Sequence, residues 1–173
     1  MERAVKAVFI AVIFGTMSVP LAPLAAQERP ACEVAAAPWA GTAIQASGRT
    51  LEEASGAAIG TEQAALLRLH PDHDVAYATL PAGEGEASSF GGMAVIRITR
   101  AGRYLVGMSE AAWVDVSQGG TPAQAQTFGP GAECSGIRKG VTFDLAAGDV
   151  VLEISGNLVP EIGVIVLPAD AID

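Results

Sequence analysis

The chain is poor in the residue types from which most catalytic and metal sites are built. Among its 173 residues there are only two cysteines, two histidines, two tyrosines and two tryptophans, and aromatic residues make up 5 %. Basic residues number 10 against 19 acidic ones, a formal net charge of −9. A surface of that sign repels nucleic-acid phosphates and anionic headgroups, and no Lys/Arg cluster offsets it locally, so no nucleic-acid partner is expected. Beyond the first 26 residues no apolar run approaches the roughly 18 residues that a membrane-crossing helix requires, so no later membrane span is expected.

Those first residues have a pattern of their own. Arg3 and Lys6 precede an apolar stretch from Ala7 to Gly15, Pro20 and Pro23 interrupt it, and Leu24-Ala25-Ala26 follows. A charged start, a short apolar core and a small-residue cleavage site are the three parts of a secretory signal peptide. The expectation is removal of residues 1–26 and a periplasmic or secreted product. Taking away Glu2, Arg3 and Lys6 leaves 147 residues with 8 basic against 18 acidic side chains, a net charge of −10. That length suits one domain.

In an oxidising compartment a lone pair of cysteines reads as a disulfide rather than as a metal site or a nucleophile. Cys32 and Cys134 are therefore expected to pair, tying the start of the mature chain to a loop about a hundred residues later. The chain-entropy model values such a closure at roughly 4 to 5 kcal/mol.

Residues 27–41 read as an irregular lead-in in which Trp39 packs. Within 42–63 there is a weak strand signal at Thr42–Ala46 and a helical turn at Leu51–Ala57. From Ala64 onward short Val- and Ile-rich runs alternate with turn residues: Ala64–Leu69, Val75–Thr79, Met93–Thr99, Tyr104–Met108, Trp113–Val116, Val141–Leu145, Val150–Ile154 and Ile162–Leu167. Strands of that length and spacing predict an all-β fold, a single antiparallel β-sandwich of about eight strands, jelly-roll-like, over 42–173. Thr99-Arg100-Ala101-Gly102 and Ala146-Ala147-Gly148 each read as a hairpin or a sheet-corner turn. The stretch from Ser117 to Arg138 reads as a long loop, either functional or pinned by Cys134.

Several residues are candidates for chemistry. His70 and His73, in Leu69-His70-Pro71-Asp72-His73-Asp74, are either a solvated turn or the ligands of iron or another divalent metal. Trp113 and Asp115 share one parity of a strand, with Val114 and Val116 on the other. If the valines face the core, the Trp–Asp pair points outward and is suited to stack on and hydrogen-bond a sugar or peptide; the alternative, slightly favoured, buries Trp113. Arg138 and Lys139 form the adjacent basic pair, a solvated loop end or an anion grip. Ser135 lacks the first glycine of a Gly-x-Ser-x-Gly elbow, which argues against a serine nucleophile.

A set of short segments carries a resemblance: Phe90-Gly91-Gly92, Gly102-Arg103-Tyr104, Trp113-Val114-Asp115-Val116, Gly129-Pro130, Cys134-Ser135-Gly136-Ile137-Arg138-Lys139, and Phe143-Asp144-Leu145 with Gly148. Over roughly residues 60–167 the chain resembles a family of small secreted proteins from sphingomonad-type proteobacteria, some of them described as homogentisate 1,2-dioxygenase. Its general shape is similar to the pre-peptidase C-terminal type of β-sandwich. That description implies a metal-dependent oxygenase with an open Fe(II) site of two histidines and a carboxylate. Family members also place histidines shortly before the Gly-Pro, where this chain has Gln126-Thr127-Phe128. The residues themselves favour a non-enzymatic binding or envelope-associated module, requiring no cofactor, for a small-molecule, glycan or envelope-protein ligand.

Overall fold

A computed structural model of the chain describes residues 38–79 and 88–169. The expected signal peptide, Cys32 and most of the lead-in lie outside the described residues. Among the described residues twelve strands form two sheets. The first holds β1 (Ile44–Ala46), β3 (Ala64–Arg68), β12 (Glu161–Pro168), β6 (Gly102–Met108), β10 (Lys139–Leu145) and β9 (Ala125–Gly129), in that spatial order. The second runs β2 (Ala58–Gly60), β5 (Phe90–Ile98), β11 (Gly148–Asn157), β7 (Trp113–Gln118) and β8 (Thr121–Pro122), with β4 (His70–Pro71) also on β5.

If β3, β5, β6, β7, β8, β10, β11 and β12 are counted one to eight, the sheets read 1-8-3-6 and 2-7-4-5. This is the jelly-roll arrangement of two interlocked Greek keys. Antiparallel pairing dominates, but the sheets are mixed, because β1 joins β3 and β2 joins β5 in parallel. Both glycine turns prove to be corners: β5 to β6 and β10 to β11 each pass from one sheet to the other.

Alternation decides which side chains enter the core. Along β10, Val141, Phe143 and Leu145 are buried while Thr142 and Asp144 face outward. Val106 and Met108 of β6, Val164 and Val166 of β12, Ile96 of β5, and Leu152 and Ile154 of β11 complete the inner layer. Each of these side chains contributes on the order of 1.5 to 3 kcal/mol by leaving water. On the outer face of the first sheet, Gly163 of β12 makes room for Trp39. A Cβ at Gly163 would lie 2.8 Å from the indole Cε2 and closer still to Cγ and Cδ2. The expected packing of Trp39 is thereby met.

Three stretches differ from expectation. Val75–Thr79 is not a strand: a 3-10 turn at Asp72–Asp74 leads through Val75 into irregular backbone outside either sheet, bent at Ala78 and Thr79. The stretch 117–138 contains β8 and β9, both largely exposed edge strands with little apolar alternation. The turn at Leu51–Ala57 shortens to α1 (Leu51–Ala54), whose Thr50 N-cap accepts the Glu53 N–H at 3.2 Å. The cap residue starts the helix because its hydroxyl satisfies a donor the first turn leaves open.

Candidate functional site

Along β7 the core takes Val114 and Val116, which are 7 % and 2 % exposed. Trp113 therefore points outward and is 49 % exposed, which corrects the slight preference for a buried Trp113. A partner for Asp115 in the core, with Arg138 as the candidate, is then not needed. Lys139, the first residue of β10, reaches across from the other sheet. Its Nζ donates to the Ala112 carbonyl at 2.7 Å and stands 4.9 Å from the centre of the Trp113 ring. A cation at that distance over indole is attracted by the ring quadrupole. Partial burial lowers the Lys139 ammonium below the usual lysine range, and the nearby Asp115 carboxylate works in the opposite sense.

Three of the four expected ligand-binding residues are thus brought together: an exposed indole, a carboxylate and an ammonium. The fourth, Arg138, is exposed and contributes its backbone, donating its N–H to Met108 O at 2.8 Å.

The two histidines receive separate partners. His70 Nε2 lies 2.9 Å from Ser47 O, so the ring nitrogen is spent as a donor to a carbonyl. His73 is largely exposed, with Nε2 3.6 Å from Asp74 Oδ1. Among the described residues no group of three His, Cys, Asp or Glu side chains is placed to hold a metal ion.

A polar cluster that sequence reasoning missed lies on the outer face of the second sheet. Glu153 of β11 is 2 % exposed. Its Oε1 accepts the N–H groups of Ala78 at 2.7 Å and Thr79 at 3.0 Å, and its Oε2 accepts the Thr79 hydroxyl. Asp72 accepts the Tyr77 and Ser89 hydroxyls and the Gly156 N–H, the last at 2.8 Å. The same Tyr77 hydroxyl lies 3.0 Å from Ile154 O, so its one proton is shared between the two acceptors. Two carboxylates thus fasten 72–79 to the sheet, where water cannot replace them cheaply. The only sequence signal for Glu153 is an acidic residue amid apolar β11, since its partners Ala78 and Thr79 stand 75 and 74 residues away.

Burial first, then Asp72 and Glu153, push the Tyr77 hydroxyl far above its usual range. The folded state thus holds Tyr77 protonated where the unfolded chain, with a value of about 10, ionises. Stability is expected to be intact below pH 10 and to fall as pH rises past it. Urea denaturation between pH 8 and 11 should show a decline that is shallower in Tyr77→Phe.

Among the described residues no helix is long and apolar enough to cross a membrane. Compared with known proteins, the chain matches no protein-family model, no curated protein and no solved structure.

Proposed function

We propose that this protein is a non-enzymatic binding module of the bacterial cell envelope, exported to the periplasm or beyond, whose Trp113–Asp115–Lys139 cluster holds a glycan. The observation that carries the reading is the half-exposed indole of Trp113, beside one charge of each sign. An aromatic face matches the C–H face of a sugar ring, a carboxylate accepts from hydroxyls, and an ammonium donates to them. Rigid strands β7 and β10 supply all three groups, so little ordering is required on binding.

Export is supported by the signal-like residues 1–26, and a Cys32–Cys134 bridge by cysteine chemistry in an oxidising compartment. No described cysteine is free. Protein recovered from the periplasm should begin at Gln27 and yield, without reduction, a peptide joining Cys32 to Cys134. A retained N-terminus or two free thiols would count against this part of the reading.

The binding claim is tested by affinity electrophoresis through gels containing soluble bacterial and plant polysaccharides. At least one should retard the protein, and Trp113→Ala should reduce the apparent affinity by about tenfold or more, as truncation of a central aromatic anchor typically does. Equal retardation of the two proteins would place the site elsewhere.

A further inference from the structure

The outer face of the first sheet carries an open groove of about 640 Å³, which Trp113 does not line and which is within the size range of small-molecule sites. Leu105, Thr142 and Leu167 lie on its floor, because Val106, Val141 and Val166 beside them turn into the core. Ile137 forms part of a wall, packed down over Gly107, where a Cβ would sit 2.8 Å from its Cδ1.

At Arg103 the groove meets a second depression of about 220 Å³, lined by Arg100, Arg103 and Tyr104. Two of the ten basic residues of an acidic chain therefore stand at one end of an apolar trough. No carboxylate lines either depression among the described residues. Asp144 does reach Arg103 from the neighbouring strand, at 2.9 Å from Nε and 3.2 Å from Nη2. That pair uses two of the five guanidinium donors. Arg100 pairs with no carboxylate among the described residues.

We infer that the groove binds a single-chain amphiphile with an anionic head, a fatty carboxylate, its tail along Leu105 and Leu167 and its head at Arg100 and Arg103. The charge argument sets the polarity of the ligand: the cations stand at one end only, and the rest of the trough offers apolar surface and hydroxyls. The net charge of −9 opposes docking on an anionic bilayer and leaves an individual amphiphile as the occupant.

Calorimetric titration of the whole protein with dodecanoate, kept below its micelle concentration, tests the inference. One saturable site is expected. Arg100→Gln, an exposed position with no ion pair to lose, should weaken binding about tenfold, the scale of one charge-assisted contact. Leu167→Asp, checked for folding by circular dichroism, should abolish it. Dodecyl maltoside, with the same tail and a neutral head, should be indifferent to Arg100→Gln, and Trp113→Ala should leave dodecanoate binding unchanged. No saturable binding, or binding equal in wild type and Arg100→Gln, overturns the inference. Co-sedimentation with phosphatidylglycerol vesicles that depends on Arg100 overturns it in favour of membrane docking. Because Trp113 is not in the groove, these outcomes are separate from the fate of the glycan reading.

Discussion

Replacing Glu153 with alanine is expected to lower the stability of the domain by about 3 kcal/mol, a large fraction of what a domain of this size possesses. Glu153 is 2 % exposed, and its carboxylate is the acceptor for the Ala78 and Thr79 N–H groups and the Thr79 hydroxyl. Truncation leaves those donors without their acceptor and opens a void over β5 and β7, between Met93 and Asp115, its register partners. An unmade buried hydrogen bond costs roughly 1 to 3 kcal/mol for each group, and solvent near the half-exposed segment recovers part of this. Glu153→Gln keeps one acceptor oxygen and should cost about 1 kcal/mol. Urea denaturation gives the difference, and hydrogen exchange locates it: the Ala78 and Thr79 amides should lose protection in Glu153→Ala. A loss under about 0.5 kcal/mol, the scale of an ordinary surface substitution, would mean that the carboxylate does not hold this segment.

Gly48→Ala is expected to be at least as damaging. Gly48 bridges to Met93 of β5, donating its N–H to Met93 O at 2.7 Å and accepting from Met93 N at 2.9 Å. A methyl group at this position would stand 2.6 Å from Ala54 Cα and 2.7 Å from Glu53 C, and closer still to the Ala54 N. All three are backbone atoms, which no rotamer change moves aside. Either α1 lifts from the sheet or the bridge to Met93 breaks, and Ala54, fully buried, is uncovered. Overpacking of this kind costs about 3 kcal/mol, equivalent to a Tm lower by roughly 10 °C in a domain of this length. Gly129→Ala is the matched control, since a Cβ there meets nothing within 4 Å. Calorimetry should place it within about 2 °C of wild type.

Much of the jelly roll is legible in the chain because its strands are short Val- and Ile-rich runs, alternating in β10 and almost continuously buried in β5 and β12. Tyr104–Met108, Val141–Leu145 and Ile162–Leu167 fall on strands, Met93–Thr99 does so up to Ile98, and β10 carries the expected buried and exposed parities. β8 and β9 escaped notice because edge strands bury little and so carry little apolar pattern; β9 is Ala-Gln-Thr-Phe-Gly and largely exposed. Val75–Thr79 looks like a strand by composition, but its backbone donors go elsewhere than to a neighbouring strand: Val75 to Asp72 O, Ala76 to Arg49 O, and Ala78 and Thr79 to a carboxylate on β11. No local pattern announces a partner 74 or 75 residues away.

The candidate site divides the same way. Parity alone turned Trp113 and Asp115 to one face, and the burial of Val114 and Val116 decides that this face is the outer one. The arrival of Lys139 over the indole depends on strand order, which brings β10 and β7 near each other from different sheets. The groove beside Arg100 and Arg103 depends on the packing of Ile137 against Gly107, again a tertiary matter.

Trp39 and Trp113 are the only tryptophans, so Trp39→Phe leaves an emission that reports Trp113 alone. Titrating that variant with the polysaccharide that retards the protein most is the most direct test of a glycan-binding module. A saturable blue shift of emission is expected, as the half-exposed indole loses water to the sugar face, with a binding constant matching that of the native protein. Binding that leaves the Trp113 emission unmoved, or the absence of binding to any polysaccharide tried, would contradict it.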